Sequence, residues 1–121
     1  MKFRDSTLIE NLDPKSDRTI KGFLSLVLPL KEHIKEMYLF GSRARSNFRP
    51  DSDYDILIVL RSKNREIIDK LYEAVIETLL ATGRLVSLKI FTVKEFNHLK
   101  LLSTPFIRSV FKEGIKLGVN Y

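Results

Sequence analysis

Apolar positions change period along the chain, and each change marks an element. From Ser16 or Asp17, either of which can cap a helix, Ile20, Phe23, Leu24, Val27 and Leu28 recur at helical spacing until Pro29 kinks or ends the run. Lys31 to Lys35 lead into Met37, Tyr38, Leu39 and Phe40, a short strand bounded by Gly41. After a polar loop, Tyr54 to Leu60 is an apolar, β-branched run that reads as a strand buried on both faces. Asn64 can cap a helix to about Thr82, with Ile67, Ile68, Leu71, Val75 and Leu79 as its apolar stripe and Gly83 where it stops. Leu85 to Phe91 sets Val86, Leu88 and Ile90 against Ser87 and Lys89, the alternation of a third strand. Thr92 caps a short helix through about Leu101. Pro105 opens a last one, with Phe106, Ile107, Val110 and Phe111 inward and Gly114 near its end.

These elements predict one α+β domain over residues 16–121, a short sheet with helices packed on one face, after a partly ordered lead-in at 1–15 that ends in the turn-like Asp13-Pro14. A chain of 121 residues is long enough to bury a core without staples. Zero cysteines exclude a disulfide scaffold, a thiolate zinc site and a cysteine nucleophile, and two histidines, His33 and His98, argue against a histidine-rich metal site. The longest mostly apolar stretch, Phe23 to Leu30, is far shorter than the roughly 20 residues that span a bilayer. Asp5, Glu10 and Asp13 stand where a signal peptide needs an apolar run, so a soluble cytoplasmic protein without membrane partners is expected. The net charge of +6 favours anionic partners such as nucleotides, nucleic acid or an acidic protein, although a basic solvated surface explains it equally well.

The chemistry concentrates between Leu39 and Val59. Asp53 and Asp55 stand two apart at the start of the second strand, so their side chains share one face, about 7 Å apart at Cα by strand rise. Two such carboxylates can converge on divalent cations, and hard oxygen ligands favour magnesium or manganese over zinc. A metal pair is an apparatus for in-line displacement at phosphorus. Gly41-Ser42 ends the first strand with a residue lacking Cβ and then a hydroxyl, which suits close approach of a phosphate to backbone N–H groups. Arg43, Arg45 and Arg49 lie between the two halves and can neutralise a triphosphate. Taken singly, each half is a common loop feature. The joint spacing is not: Gly41-Ser42, ten residues, then Asp53-x-Asp55 running into an apolar strand. Other candidates read as structural. Tyr38, Tyr54 and Tyr72 suit core or edge positions better than base stacking, and His33, His98, Glu95 and the Arg61–Arg65 run suit solvated surfaces.

The joint spacing resembles the minimal nucleotidyltransferases of the DNA polymerase beta superfamily, similar to the antitoxins of HEPN–MNT toxin–antitoxin pairs. Phe40-Gly41-Ser42-Arg43-Ala44-Arg45 and Ser52-Asp53-Tyr54-Asp55 match the family's signature nearly in full, and the order of elements fits over about residues 17–117. The resemblance implies a polymerase-beta-like fold with a small mixed sheet. It implies that Gly41 and Ser42 hold the phosphates of a nucleoside triphosphate, ATP above all. Asp53 and Asp55 would then bind two magnesium (or manganese) ions and activate an acceptor hydroxyl. Arg43 or Arg45 would assist the phosphates or form a salt bridge to Asp51 or Asp53. Ser46 replaces the family's usual glycine. A larger departure concerns the third carboxylate that active members carry on the next strand, in a Val-Asp-Leu setting. Here the segment is Leu85-Val86-Ser87-Leu88-Lys89-Ile90, so the acid is replaced by Ser87 or, after a slip of two residues, by Lys89.

Three functions are therefore carried forward. The first is magnesium-dependent transfer of AMP from ATP to a hydroxyl of a protein or small molecule. The second is a catalytically weak or silent nucleotide-binding partner, antitoxin-like, of a HEPN-type helical protein, with a homo-oligomer as a further partner state. The third, least favoured, is a nucleic-acid-binding module, which has no need of carboxylates beside a phosphate.

Overall fold

The computed structural model describes residues 14–45, 49 and 52–117, so most of the lead-in expected at 1–15 lies outside the described residues. Helix α1 spans Pro14–Val27, starting two residues before the expected cap. It runs into a 3-10 turn at Leu28–His33, where Pro29 removes a backbone donor and changes the winding. Strand β1 (Ile34–Phe40) starts earlier than Met37 and ends in a second 3-10 turn, Gly41–Ala44. Strand β2 is Tyr54–Leu60, as its apolar run predicts. Helix α2 (Arg65–Thr82) begins where the Asn64 side chain accepts the Ile67 N–H at 3.3 Å and stops at Gly83, whose φ of 73° only glycine adopts without strain.

Strand β3 (Val86–Thr92) leads directly into α3 (Val93–Leu102) through a reciprocal cap. The Thr92 hydroxyl accepts the Glu95 N–H at 3.1 Å, while the Thr92 N–H donates to the Glu95 carboxylate at 2.8 Å. That backbone donor, before anything else, lowers the pKa of Glu95. Helix α4 (Pro105–Glu113) is capped by Thr104 and followed by a two-residue strand, β4 (Ile115–Lys116), which the sequence pattern did not reveal.

The four strands lie in the order β3-β2-β1-β4. β1 is antiparallel to both β2 and β4, whereas β2 and β3 are parallel, their crossover being made by α2. This is the α+β, mixed-sheet architecture expected. The helices, however, cover both faces rather than one. Met37, Leu39, Ile56 and Ile58 pack against α1 and α2, through Ile20, Phe23 and Leu71. Tyr38, Leu57 and Val59, of opposite parity, pack against Phe96 of α3 and Ile107 and Val110 of α4. The reason lies in β2 itself: both parities of Tyr54–Leu60 are apolar, so each face needs a cover. A smaller departure is Leu79, expected inward on α2 but 39% exposed, with Thr78 buried in its stead.

Candidate active site

The site forms at the end of the sheet where β1 stops and β2 and β3 start. Asp55 occupies the middle strand, level with Phe40 of β1 on one side and Ser87 of β3 on the other. Immediately after Phe40 the chain turns at Gly41, which has a φ of 73°. A Cβ at Gly41 would collide with Oδ2 of Asp55 and lie 3.1 Å from its Cγ. Glycine is thus required twice, by the backbone conformation and by the carboxylate pressed against it. This contact joins the Gly-Ser and Asp-x-Asp halves of the motif into one site.

The electrostatics follow from that packing. Burial raises the Asp55 carboxyl above its ordinary value of 3.8, the neighbouring Asp53 carboxylate raises it further, and the Lys89 ammonium opposes both. Asp53 itself is exposed. The Ser42 hydroxyl is half-exposed and has no hydrogen-bond partner among the described residues, while the Ser42 carbonyl accepts the Arg45 N–H at 3.0 Å and closes the turn.

The two motif arginines have different settings. Arg43 is only 3% exposed. Its Nε donates to the Ser52 carbonyl at 3.1 Å, and its guanidinium lies 4.4 Å from the centre of the Tyr54 ring. It fastens the approach to Asp53 onto the Gly-Ser turn. Arg45 is half-exposed and pairs through Nη1 with Oε2 of Glu113, at the end of α4, at 2.8 Å. Of the two alternative partners expected for either arginine, Asp51 lies outside the described residues and Asp53 is exposed, as is Arg49. Neither the Tyr54 platform nor the Glu113 contact is visible in the sequence. An Arg-x-Arg loop reads as surface, and a pair 68 residues apart leaves no local pattern.

Strand β3 completes the picture. Ser87 is level with Asp55, and Lys89 is level with Leu57, one step along on the same face. Of the two residues that can stand for the third acid, Ser87 is the one beside Asp55. Among the described residues no group of three or more His, Cys, Asp or Glu side chains is placed to hold a metal ion. Asp53 and Asp55 stand as a pair. Of the remaining candidates, Tyr38 is buried against Phe96, which with the Glu36 charge pushes its hydroxyl pKa upward. Tyr72, His33 and His98 are exposed, away from this end of the sheet.

A glycine-serine turn pressed on Asp55 of a mixed sheet, with Asp53 just before the same strand, is the arrangement expected from the resemblance to nucleotidyltransferases. The sequence model of the nucleotidyltransferase domain matches residues 18–117, and the chain belongs to that family. Solved structures with the same fold include a mutant of the MntA–HepT toxin–antitoxin, 20% identical with a TM-score of 0.54, covering 82% of this chain and 71% of that one. A toxin–antitoxin crystallised with AMP-PNP is also 20% identical, with a TM-score of 0.50, covering 84% of this chain and 71% of that one. Among curated proteins no sequence matches the chain.

Proposed function

We propose that the chain binds a nucleoside triphosphate, ATP in the first instance, as its magnesium complex and transfers AMP to an acceptor hydroxyl. The observation that carries this reading is the contact of Gly41 with the Asp55 carboxylate, which leaves no room for a side chain between phosphate turn and metal ligand. Gly41 and Ser42 receive the phosphates, with the unpartnered Ser42 hydroxyl as donor. Asp53 and Asp55 suit a hard divalent cation: both are oxygen donors at the same strand end, and their charges raise one another's cost when no cation lies between them. Such an ion, when bound, offsets charge on the triphosphate during transfer. The acceptor oxygen forms a bond to the α-phosphorus, the bond from that phosphorus to the bridging oxygen breaks, and pyrophosphate leaves. The hydroxyl proton has no carboxylate to receive it at position 87 and passes to solvent, so transfer is slow. Arg45 can turn from Glu113 toward the phosphates, whereas buried Arg43 holds the loop. A cytoplasmic setting, with its supply of ATP, suits this chemistry.

The serine at position 87 favours a second reading, in which the same nucleotide site serves an antitoxin-type protein beside a HEPN-type partner. The likeness in fold to MntA–HepT and to a toxin–antitoxin crystallised with AMP-PNP supports it. Incubation with α-labelled ATP and magnesium, with and without a candidate acceptor, separates the two. Label transferred by the wild type and lost in Asp55→Asn supports transfer. Nucleotide binding without any transfer, even by Ser87→Asp, supports the second reading instead.

A further inference from the structure

Helix α2 carries a second apolar stripe that no part of the described chain covers. Its inward face is Ile67, Leu71, Ala74, Val75 and Thr78. On the outward side Tyr72, Ile76 and Leu80 follow one another at intervals of four residues and are 48%, 56% and 81% exposed, with Leu79 beside them. Single exposed apolar residues are ordinary, but a row along one helix face is the mark of a contact surface. The row spans about 12 Å of helix.

Its border is acidic. Glu73 and Glu77 run parallel to the row, one residue further round the helix. The two cations of α2 are committed elsewhere: Arg65 to Asp69 at 3.9 Å and Lys70 to Glu66 at 3.5 Å. Glu73 and Glu77 have no ion-pair partner among the described residues, in a chain whose net charge is +6. Beyond them a groove of about 230 Å³ opens toward α1, with Lys70, Glu73, Ala74 and Glu77 on its near wall and Leu26, Pro29 and Leu30 on its far wall. From one edge to the other the surface is therefore an apolar row, an acidic row with Lys70, engaged by Glu66, beside it, and a groove whose far wall is apolar.

We infer that the outer face of α2 docks an amphipathic helix of another protein, one whose apolar stripe is bordered by lysine or arginine. The partner's stripe covers Tyr72, Ile76 and Leu80, its basic border meets Glu73 and Glu77, and the aliphatic stems of those cations lie along the groove. Charge decides among occupants. An anionic membrane or a nucleic acid is repelled by the acidic row. A second copy docking through the same face brings two more unpaired acids and no free cation of its own helix. A basic amphipathic helix satisfies both rows. This surface is separate from the nucleotide site, so the inference stands whether or not AMP is transferred.

The test uses the intact chain and a labelled synthetic helix of about five turns, with a leucine stripe bordered by lysines, beside a twin in which glutamates replace the lysines. Fluorescence anisotropy reads binding, and far-ultraviolet circular dichroism confirms that each variant is folded. The wild type is expected to bind the lysine helix at least tenfold more tightly than the glutamate helix. Glu73→Lys with Glu77→Lys should reverse that preference, and Ile76→Asp should weaken either helix at least tenfold. Equal binding of both helices by all variants overturns the inference. So does a wild-type dimer, seen by sedimentation, that Ile76→Asp dissociates, or binding to phosphatidylglycerol vesicles that Ile76→Asp abolishes. ATP titration of the same variants should match the wild type, which keeps a failure here distinct from a failure at the nucleotide site.

Discussion

The two flanks of Asp55 differ in what they keep of the nucleotidyltransferase pattern. On the β1 side the Gly-Ser pair is kept: Gly41 turns with a positive φ, its missing side chain admits the carboxylate, and Ser42 is half-exposed. On the β3 side the residue level with Asp55 is Ser87, and the next residue on that face is Lys89. In the proposed reading the first flank receives the phosphates and, with Asp53, a cation. The second has a serine rather than a carboxylate level with Asp55 and adds the positive charge of Lys89 near the half-buried Asp55 carboxylate. Under the proposed function, binding and chemistry are carried by different strands, and only the strands for binding keep the residues that function calls for.

Substitutions on each flank probe that contrast. The largest effect is expected from Gly41→Val, which forces a side chain into the Asp55 carboxylate and a branched residue into left-handed backbone. Backbone strain alone costs roughly 1–2 kcal/mol, and the displaced carboxylate should abolish magnesium-dependent nucleotide binding, read by calorimetry beside a thermal melt. Next comes Ser87→Asp. If the missing acid limits transfer, restoring it should raise the rate by up to about 10²-fold with little change in nucleotide affinity. A rise in affinity without a rise in rate would mean that β3 contributes to binding after all.

A third, smaller effect concerns pH. A cation needs ionised Asp55, whose folded pKa lies above 3.8 because of burial and Asp53. Nucleotide affinity with magnesium should therefore hold at neutral pH and fall, on acidification, at a higher pH than for an exposed aspartate. Lys89→Met removes the one influence that lowers this pKa, so its fall should begin at a higher pH still. The fold itself shows the opposite dependence. Because the folded state prefers protonated Asp55, ionisation costs stability as pH rises from 3.8 through the folded pKa. Asp55→Asn should melt higher than the wild type at neutral pH, and the gap should close below 3.8. The smallest effect is expected at Arg45→Ala, which breaks a half-exposed ion pair to Glu113 worth about 0–1 kcal/mol. A thermal melt should barely move.

Much of the fold and half of the site are legible in the order of residues alone. The apolar run of β2, the Asn64 cap, the Thr92 start of α3 and the Gly-Ser to Asp-x-Asp spacing are local patterns, and each lies where it is expected. The features that local patterns hide depend on contacts between distant segments. Strand β4 has two residues and owes its existence to Tyr38 and Leu39 across the ladder. The second helical cover follows from β2 having apolar residues of both parities, a clue that a one-sided packing of the helices overlooks. Leu79 sits at the rim of its stripe, where periodicity alone does not separate inside from outside. Arg43 is buried because Tyr54 lies beneath it and Ser52 turns a carbonyl toward it, neither of which its neighbours in sequence announce. The sequence alone does not say whether Ser87 or Lys89 stands beside Asp55, and the parallel pairing of β2 with β3 places Ser87 there.

Whether the Gly41–Asp55 junction is a site for a nucleoside triphosphate with a divalent cation is decided by calorimetric titration of ATP into wild type and Asp53→Asn, each with and without magnesium. Binding by the wild type should require magnesium and should be lost in the variant while its fold persists. Binding of equal strength in both proteins, or none by the wild type under either condition, would contradict that assignment.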